Sequence, residues 1–185
     1  MLSRDRVEKY YRFYGARHSI LQVGYLIDFE VEESGSFLPR IRSISHIGFK
    51  WLYNREKLFI WHRFISIFEP HLRDVTQIDP IYYETLLECV KKWHLQSPKR
   101  LIVESYIKIL KHEGRLQPLD KCLICNQSID KNIAFVGKFI PAHPSCANQH
   151  PIRKESVEYL LNSFSSIWLN DEEIERLYLI ALKGF

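Results

Sequence analysis

The feature that most constrains this chain is Cys122-Leu123-Ile124-Cys125 followed, after seventeen residues, by His143-Pro144-Ser145-Cys146. The spacing is C-x2-C and then H-x2-C, two knuckles that each present two soft ligands to one point. Zinc prefers such a four-coordinate tetrahedral set, and four protein ligands leave no open position for a water. The expectation is a structural zinc held by Cys122, Cys125, His143 and Cys146, with no chemistry done at the metal. Asn126, Gln127 and Gly137 suit turns between the knuckles, and Ile133-Ala134-Phe135-Val136 suits a short strand. Together they read as a zinc-ribbon-like hairpin at 120–150. Three of the chain's four cysteines fall in this motif. His150 lacks an x2-spaced second ligand and reads as a surface histidine. The cysteine usage fits metal in a reducing cytosol rather than disulfides. Cys89 is left over on an apolar helical face and reads as a buried, inert thiol.

A chain of 185 residues with 46% hydrophobic content can bury a real core, so global disorder is excluded. No apolar run reaches the roughly 18 residues of a membrane span. The start, Met1-Leu2-Ser3-Arg4-Asp5-Arg6, has no apolar stretch of the kind that marks secretion. The expected location is the cytoplasm.

Net charge is +4 but unevenly spread: +2 over residues 1–50, −2 over 51–90, +5 over 91–115, +3 over 116–154 and −4 over 155–185. A basic middle that includes the metal motif suggests a polyanionic partner.

Residues 6–14 are rich in aromatics with charges between them and read as a strand closed by Gly15. Residues 19–32 read as a second strand, with Leu21, Val23, Tyr25, Ile27, Phe29 and Val31 on one face. Ser34-Gly35-Ser36 makes a turn. Residues 37–47 read as a third strand, with Leu38, Arg40, Arg42, Ile44 and His46 on one face. This predicts a three-stranded antiparallel meander whose open edges are a liability.

From Asn54 the period becomes helical. Leu58, Trp61, Ile65, Phe68 and Leu72 form one stripe. Asp79-Pro80 starts a second helix, with Tyr83, Leu86, Leu87 and Val90 inward. Ser97-Pro98 starts a third, with Ile102, Tyr106, Ile109 and Leu110 inward, ended by Gly114. Helices at about 153–166 and 171–183 close the chain, the last capped by Asn170 with Asp171, Glu172 and Glu173 in its first turn. The predicted class is α+β: a small antiparallel β domain at 1–50, resembling part of an OB barrel, and a helical domain at 51–185 carrying the zinc-binding module.

No phosphate-binding glycine loop, dinucleotide fingerprint, H-E-x-x-H or nucleophile elbow is present. His18, His46, His62, His71, His94 and His112 show no ligand spacing. The chain does not read as an enzyme. The strand region does mix rings with bases. Single-strand binders combine a positive groove with aromatic faces on which bases stack. Tyr11 and Phe13 share one face of the first strand, and Tyr10, Arg12 and Tyr14 share the other, which is the expected exposed face. Arg12, Arg17, Arg40 and Arg42 would hold phosphates, Lys99, Arg100 and Lys121 would extend the track, and Tyr10 and Tyr14 would stack bases.

The order of parts carries a resemblance. A basic β front and a helical bundle lead into Gly114-Arg115-Leu116-Gln117-Pro118-Leu119-Asp120-Lys121-Cys122-Leu123-Ile124-Cys125, and Tyr14-Gly15-Ala16-Arg17 with Leu21-Gln22 marks a strand end. This resembles the DNA repair family RecO. The resemblance implies binding of single- and double-stranded DNA and annealing of complementary strands. It also implies contact with RecR and with the tail of single-stranded-DNA-binding protein, and help in loading RecA. The location it implies is cytoplasmic, at the nucleoid. Two departures stand out. His143 occupies a position where many zinc-bearing relatives have Cys. The family's first two barrel strands have no counterpart before Leu2-Ser3-Arg4, so translation in the cell is expected to begin about two strands earlier. Two rival classes are a zinc-ribbon adaptor that binds only protein and a zinc hydrolase whose metal keeps an open water position.

Overall fold

The computed structural model describes residues 1–12, 21–33, 35 and 37–185. The chain divides into two compact units, Met1–Lys91 and Lys92–Phe185. The division therefore falls after three helices and not near residue 50. The physical reason is that the first helices are bonded into the strand segments. The Trp61 indole N–H donates to the Gly24 carbonyl at 2.8 Å, and the Trp51 indole N–H donates to the Val90 carbonyl at 3.2 Å. The class is mixed, with small antiparallel sheets among helices.

In the first unit the described strands are β1 (Ile27–Glu32) and β2 (Arg40–His46), paired antiparallel. The strand expected at 6–14 is not a ladder in its described part. Residues 2 to 12 make only isolated bridges: Leu2 to Val7, Arg6 to Gln77, and Tyr11 to Arg40, the last one parallel. The rest of that expectation, with Gly15, His18 and the outer residues of the 34–36 turn, lies outside the described residues.

The strand expected from residue 19 begins only at Ile27. Gly24 breaks the alternation at φ +83°, a left-handed conformation, and Val23 turns out to solvent. A Cβ at Gly24 would stand 2.6 Å from Trp61 Nε1. Gly24→Ala is expected to destabilise the first unit by roughly 2–3 kcal/mol, through the left-handed backbone and the displaced indole. A denaturant titration followed by tryptophan emission checks it, and an unchanged midpoint refutes it.

The alternation expected along 37–47 also fails, for one local reason. Asp28 pairs with Ser45 and Glu30 with Arg42, so β2 carries one extra residue there. Ser43 takes it up at φ +48°. The bulge switches the face. Ile41 is buried, and past Ser43 the inward positions are Ile44 and His46, which packs on Tyr25 with centroids 4.5 Å apart. Arg40 and Arg42 thus do not share a face with Ile44 and His46.

Asn54 caps α1 (Arg55–Ser66), its side chain accepting from the Lys57 N–H at 3.0 Å. Ile60, Trp61 and Phe64 are buried, with Phe64 edge-on to Phe68 in the short α2 (Phe68–His71). Leu58 and Ile65 of the expected stripe are only partly buried. The Asp79 carboxylate caps α3 (Ile81–Lys92), accepting from the Ile81 N–H at 2.9 Å. Its core face is Tyr82, Thr85, Leu86, Cys89 and Val90, about one residue round from the one expected, so Tyr83 and Leu87 lie at its margin. Cys89 is buried, as its apolar setting implied.

In the second unit α4 (Pro98–His112) is the central helix, and Ile102, Tyr106, Ile109 and Leu110 are all buried. Gly114 closes it at φ +67°. Three strands follow in sheet order β4-β3-β5, antiparallel: β3 (Asn132–Val136), β4 (Ile140–Ala142) and β5 (Ile152–Arg153). The short α5 (Pro144–Ala147) lies between β4 and β5. Phe139 in the β3–β4 turn packs against both Phe135 and Tyr106, with centroids 5.2 and 5.6 Å apart. The chain closes with α6 (Lys154–Ser163) and α7 (Asp171–Ala181). Asn170 and Glu173 form a full capping box at the start of α7. Asn170→Ala is expected to cost about 1 kcal/mol, read as a lower denaturation midpoint with unchanged slope.

Candidate metal centre and nucleic-acid interface

The first knuckle is built by backbone geometry. The Cys122 N–H donates to the Gln127 carbonyl at 2.9 Å, and the Asn126 N–H donates to the Cys122 carbonyl at 2.8 Å. Asn126 sits at φ +59°, which an asparagine tolerates better than most residues. The Leu123 N–H donates to the Pro141 carbonyl at 3.0 Å, which ties this knuckle to β4. The second knuckle is α5 itself, with His143 as its N-cap and Asn148 ending it in the left-handed region. The β3–β4 hairpin brings the two knuckles together.

The ligand atoms of Cys122, Cys125, His143 and Cys146 all lie within 4.8 Å of one another. His143 Nδ1 is 3.3 Å from Cys125 Sγ and 3.9 Å from Cys146 Sγ. Tetrahedral zinc places S and N ligands about 3.5 Å apart, so the four side chains already have the separation such an ion requires. The other ring nitrogen decides the tautomer. His143 Nε2 lies 2.8 Å from the Ser128 carbonyl, an acceptor only, so Nε2 carries the proton and Nδ1 offers its lone pair to the sulfurs. That contact also raises the His143 pKa, with the neighbouring Cys125 sulfur adding to it.

Burial pushes the Cys122 thiol up, but the backbone N–H groups of Cys125, His143 and Ile124 outweigh it and bring its pKa down to about 6. Cys146 goes the other way, to about 11, from burial and from the Cys125 and Cys122 sulfurs beside it. One thiolate is thus favoured before any ion arrives, and further negative charge in the cluster is disfavoured until a cation compensates it. These four residues could hold a metal ion, and the donor set is that of zinc sites. His150 does not join the group. The one partner that sequence reasoning missed, Ser128, acts through its carbonyl, and a backbone contact has no residue-type signature.

The basic residues divide by what already holds them. Arg40 and Arg42 stand on β2 opposite Glu32 and Glu30. Arg42 pairs with Glu32 at 2.6 Å in the open, where such a pair contributes under about 1 kcal/mol. Arg12 is half-buried, and Lys121 is exposed beside the first knuckle. Lys99 pairs with Glu175 and lies over the Tyr178 ring. Arg100 is committed: it donates to the Ser166 and Leu169 carbonyls at 2.8 and 2.9 Å and pairs with Asp171 at 2.7 Å. Tyr10 is half-buried, edge-on to Phe29, with its hydroxyl donating to the Glu8 carboxylate. That bond, with some burial, pushes its pKa up to about 12. Tyr11, expected on the inner face, is the exposed ring of this segment at 48%. Tyr14 and Arg17 lie outside the described residues.

The chain is thus a mixed α/β protein with a Cys3His cluster in one unit and, in the other, a small antiparallel strand pair that carries Arg40 and Arg42. Residues 1–52 match the family model described as RecO N terminal, so the front of the chain is similar to a RecO N-terminal domain. That likeness is consistent with a role in DNA repair and recombination. No curated protein matches the chain. Among the described residues no helix is long and apolar enough to cross a membrane.

Proposed function

We propose that this chain is a recombination mediator. It binds single- and double-stranded DNA without sequence preference, anneals complementary strands, and carries one structural zinc. The observation that carries the reading is the RecO N-terminal match over residues 1–52, the segment that holds Arg40 and Arg42. On this reading the strands there belong to a partial OB-like front, and the two knuckles with their hairpin serve as a zinc-ribbon-like module. Its partners on this reading are RecR, the tail of single-stranded-DNA-binding protein and, indirectly, RecA, in the cytoplasm at the nucleoid. In the first unit the phosphate-holding residues are Arg12, Arg17, Arg40 and Arg42, with Tyr10, Tyr11 and Tyr14 as candidate stacking rings; in the second, Lys99 and Lys121 are the candidate phosphate contacts. Arg100 drops out, because its donors already hold the loop before α7.

Annealing is not catalysis by a side chain. It needs two strands neutralised and held near each other, so weak, mobile, salt-sensitive contacts serve it better than tight readout. The test is fluorescence anisotropy of a labelled oligonucleotide with the full chain across a salt series, alongside a strand-annealing assay. Binding that falls steeply with salt, together with faster annealing, supports the mediator. Absence of binding at low salt leaves the zinc protein that contacts only other proteins. Metal analysis of freshly purified protein should find one zinc per chain, and none found removes the zinc assignment.

A further inference from the structure

The connection between α6 and α7 is held more firmly than a surface loop of its length requires. Besides the Arg100 bonds, the Glu104 carboxylate accepts from the Ser166 N–H at 2.8 Å and from the Ser166 hydroxyl at 2.7 Å. Phe164 ends α6 at φ +54°, and the Asn170 capping box opens α7 directly afterwards. What this fixed loop presents to water is apolar: Ile167 is 72% and Trp168 56% exposed. The Trp168 ring stacks on Tyr159 of α6, with centroids 4.3 Å apart and planes 15° from parallel. The other three tryptophans, Trp51, Trp61 and Trp93, are at most 4% exposed. Single exposed apolar residues are ordinary. Here two partly buried charged side chains are spent on holding one such pair in place. A rigid, stacked indole beside a β-branched aliphatic is the composition of an interface anchor, because little conformational entropy remains to be lost on binding.

Charge selects the occupant. Residues 155–185 carry a net −4, but Lys154, Arg100 and Lys99 pair with Glu158, Asp171 and Glu175, so Glu155 and Glu172 are the carboxylates that carry the argument. Glu155 lies one helical turn before Tyr159, and Glu172 is exposed four residues after Trp168. The Asp171 side chain, three residues after Trp168, is 95% exposed although paired with Arg100. Such a rim repels a polyanion and favours a cation.

We propose that Ile167, Trp168 and Tyr159 form a docking site for a basic amphipathic segment of a partner protein, its apolar face against the indole and its Lys or Arg side chains over the acidic rim. Two anchoring side chains cover far less than the roughly 800 Å² per partner of a stable interface, so the contact is transient and salt-sensitive. It does not depend on DNA binding.

Trp168 is the one strongly exposed indole, so its emission and acrylamide quenching report on the site. The full chain is titrated with a short amphipathic Leu/Lys helical peptide, with a Leu/Glu peptide of the same pattern, and with a single-stranded oligonucleotide. The Leu/Lys peptide is expected to shift Trp168 emission to the blue and shield it from acrylamide. Ile167→Asp and Glu172→Lys are each expected to weaken that binding roughly tenfold. Trp168→Ala, read by anisotropy of the labelled peptide, should weaken it as much and stands in should Ile167→Asp fold poorly. Equal binding of the Leu/Glu peptide, equal shielding by the oligonucleotide, or unchanged affinity in these variants overturns the proposal. So does shielding that grows with protein concentration alone, which would assign the face to a second copy.

Discussion

Cys122→Ser is expected to abolish metal binding and to disorder both knuckles, residues 121–128 and 143–149. Apart from Cys122 no side chain of either knuckle is fully buried, so nothing apolar holds them together. Structural zinc contributes about 10–16 kcal/mol to small modules, more than the whole stability of many domains. The loss should spread unevenly. Ile133, Phe135 and Phe139 are buried, and Phe139 reaches Tyr106 on α4, so the β3–β4 hairpin keeps an apolar reason to stay. Hydrogen exchange should therefore show the knuckle amides losing protection entirely, the hairpin partly and α4 least. A strong chelator should reproduce the pattern in the parent chain. Acid should as well. The ion requires thiolates and a neutral His143, protons compete for the same atoms, and affinity must fall as pH falls. Full protection of the knuckles in metal-free Cys122→Ser would remove the structural role.

Reversing Arg40 and Arg42 together to Glu is expected to weaken DNA binding by one to two orders of magnitude at low salt. Each lost phosphate contact on a single strand removes about 0.7 from the slope of log affinity against log salt, so two should flatten it by about 1.4. The reversal also sets four carboxylates across β1 and β2, since Glu30 and Glu32 are their register partners. Like charges in that position destabilise the pair. Arg40→Gln with Arg42→Gln is therefore the companion variant: it should show most of the slope change with little change in stability. If both double variants bind and anneal like the parent across the salt series, the strand pair is not the DNA surface.

Much of this protein is written locally. The four ligands are legible because x2 spacings are what a knuckle needs to aim two side chains at one point, whatever lies around it. Caps at Asp79 and Asn170 are legible because the capping bond spans two or three residues, whereas Ser97 starts α4 without a side-chain capping bond. The buried face of α4 is legible because fifteen residues of regular period leave little ambiguity.

What required the tertiary structure shares one cause: contacts between residues far apart in the chain override local alternation. Gly24 ends the expected strand because its carbonyl is claimed by Trp61, thirty-seven residues on. One extra residue at Ser43 carries Arg40 and Arg42 to the face opposite Ile44 and His46, and no pattern of side chains announces a bulge. Arg100 reads as one more positive charge in a basic run, and only its partners, sixty-six to seventy-one residues away, make it a clamp on the Trp168 loop. The sequence by itself determined which atoms could hold a metal and where the helices begin. The fold decided which charges remain available to a partner, because that depends on neighbours the chain meets only after it has closed on itself.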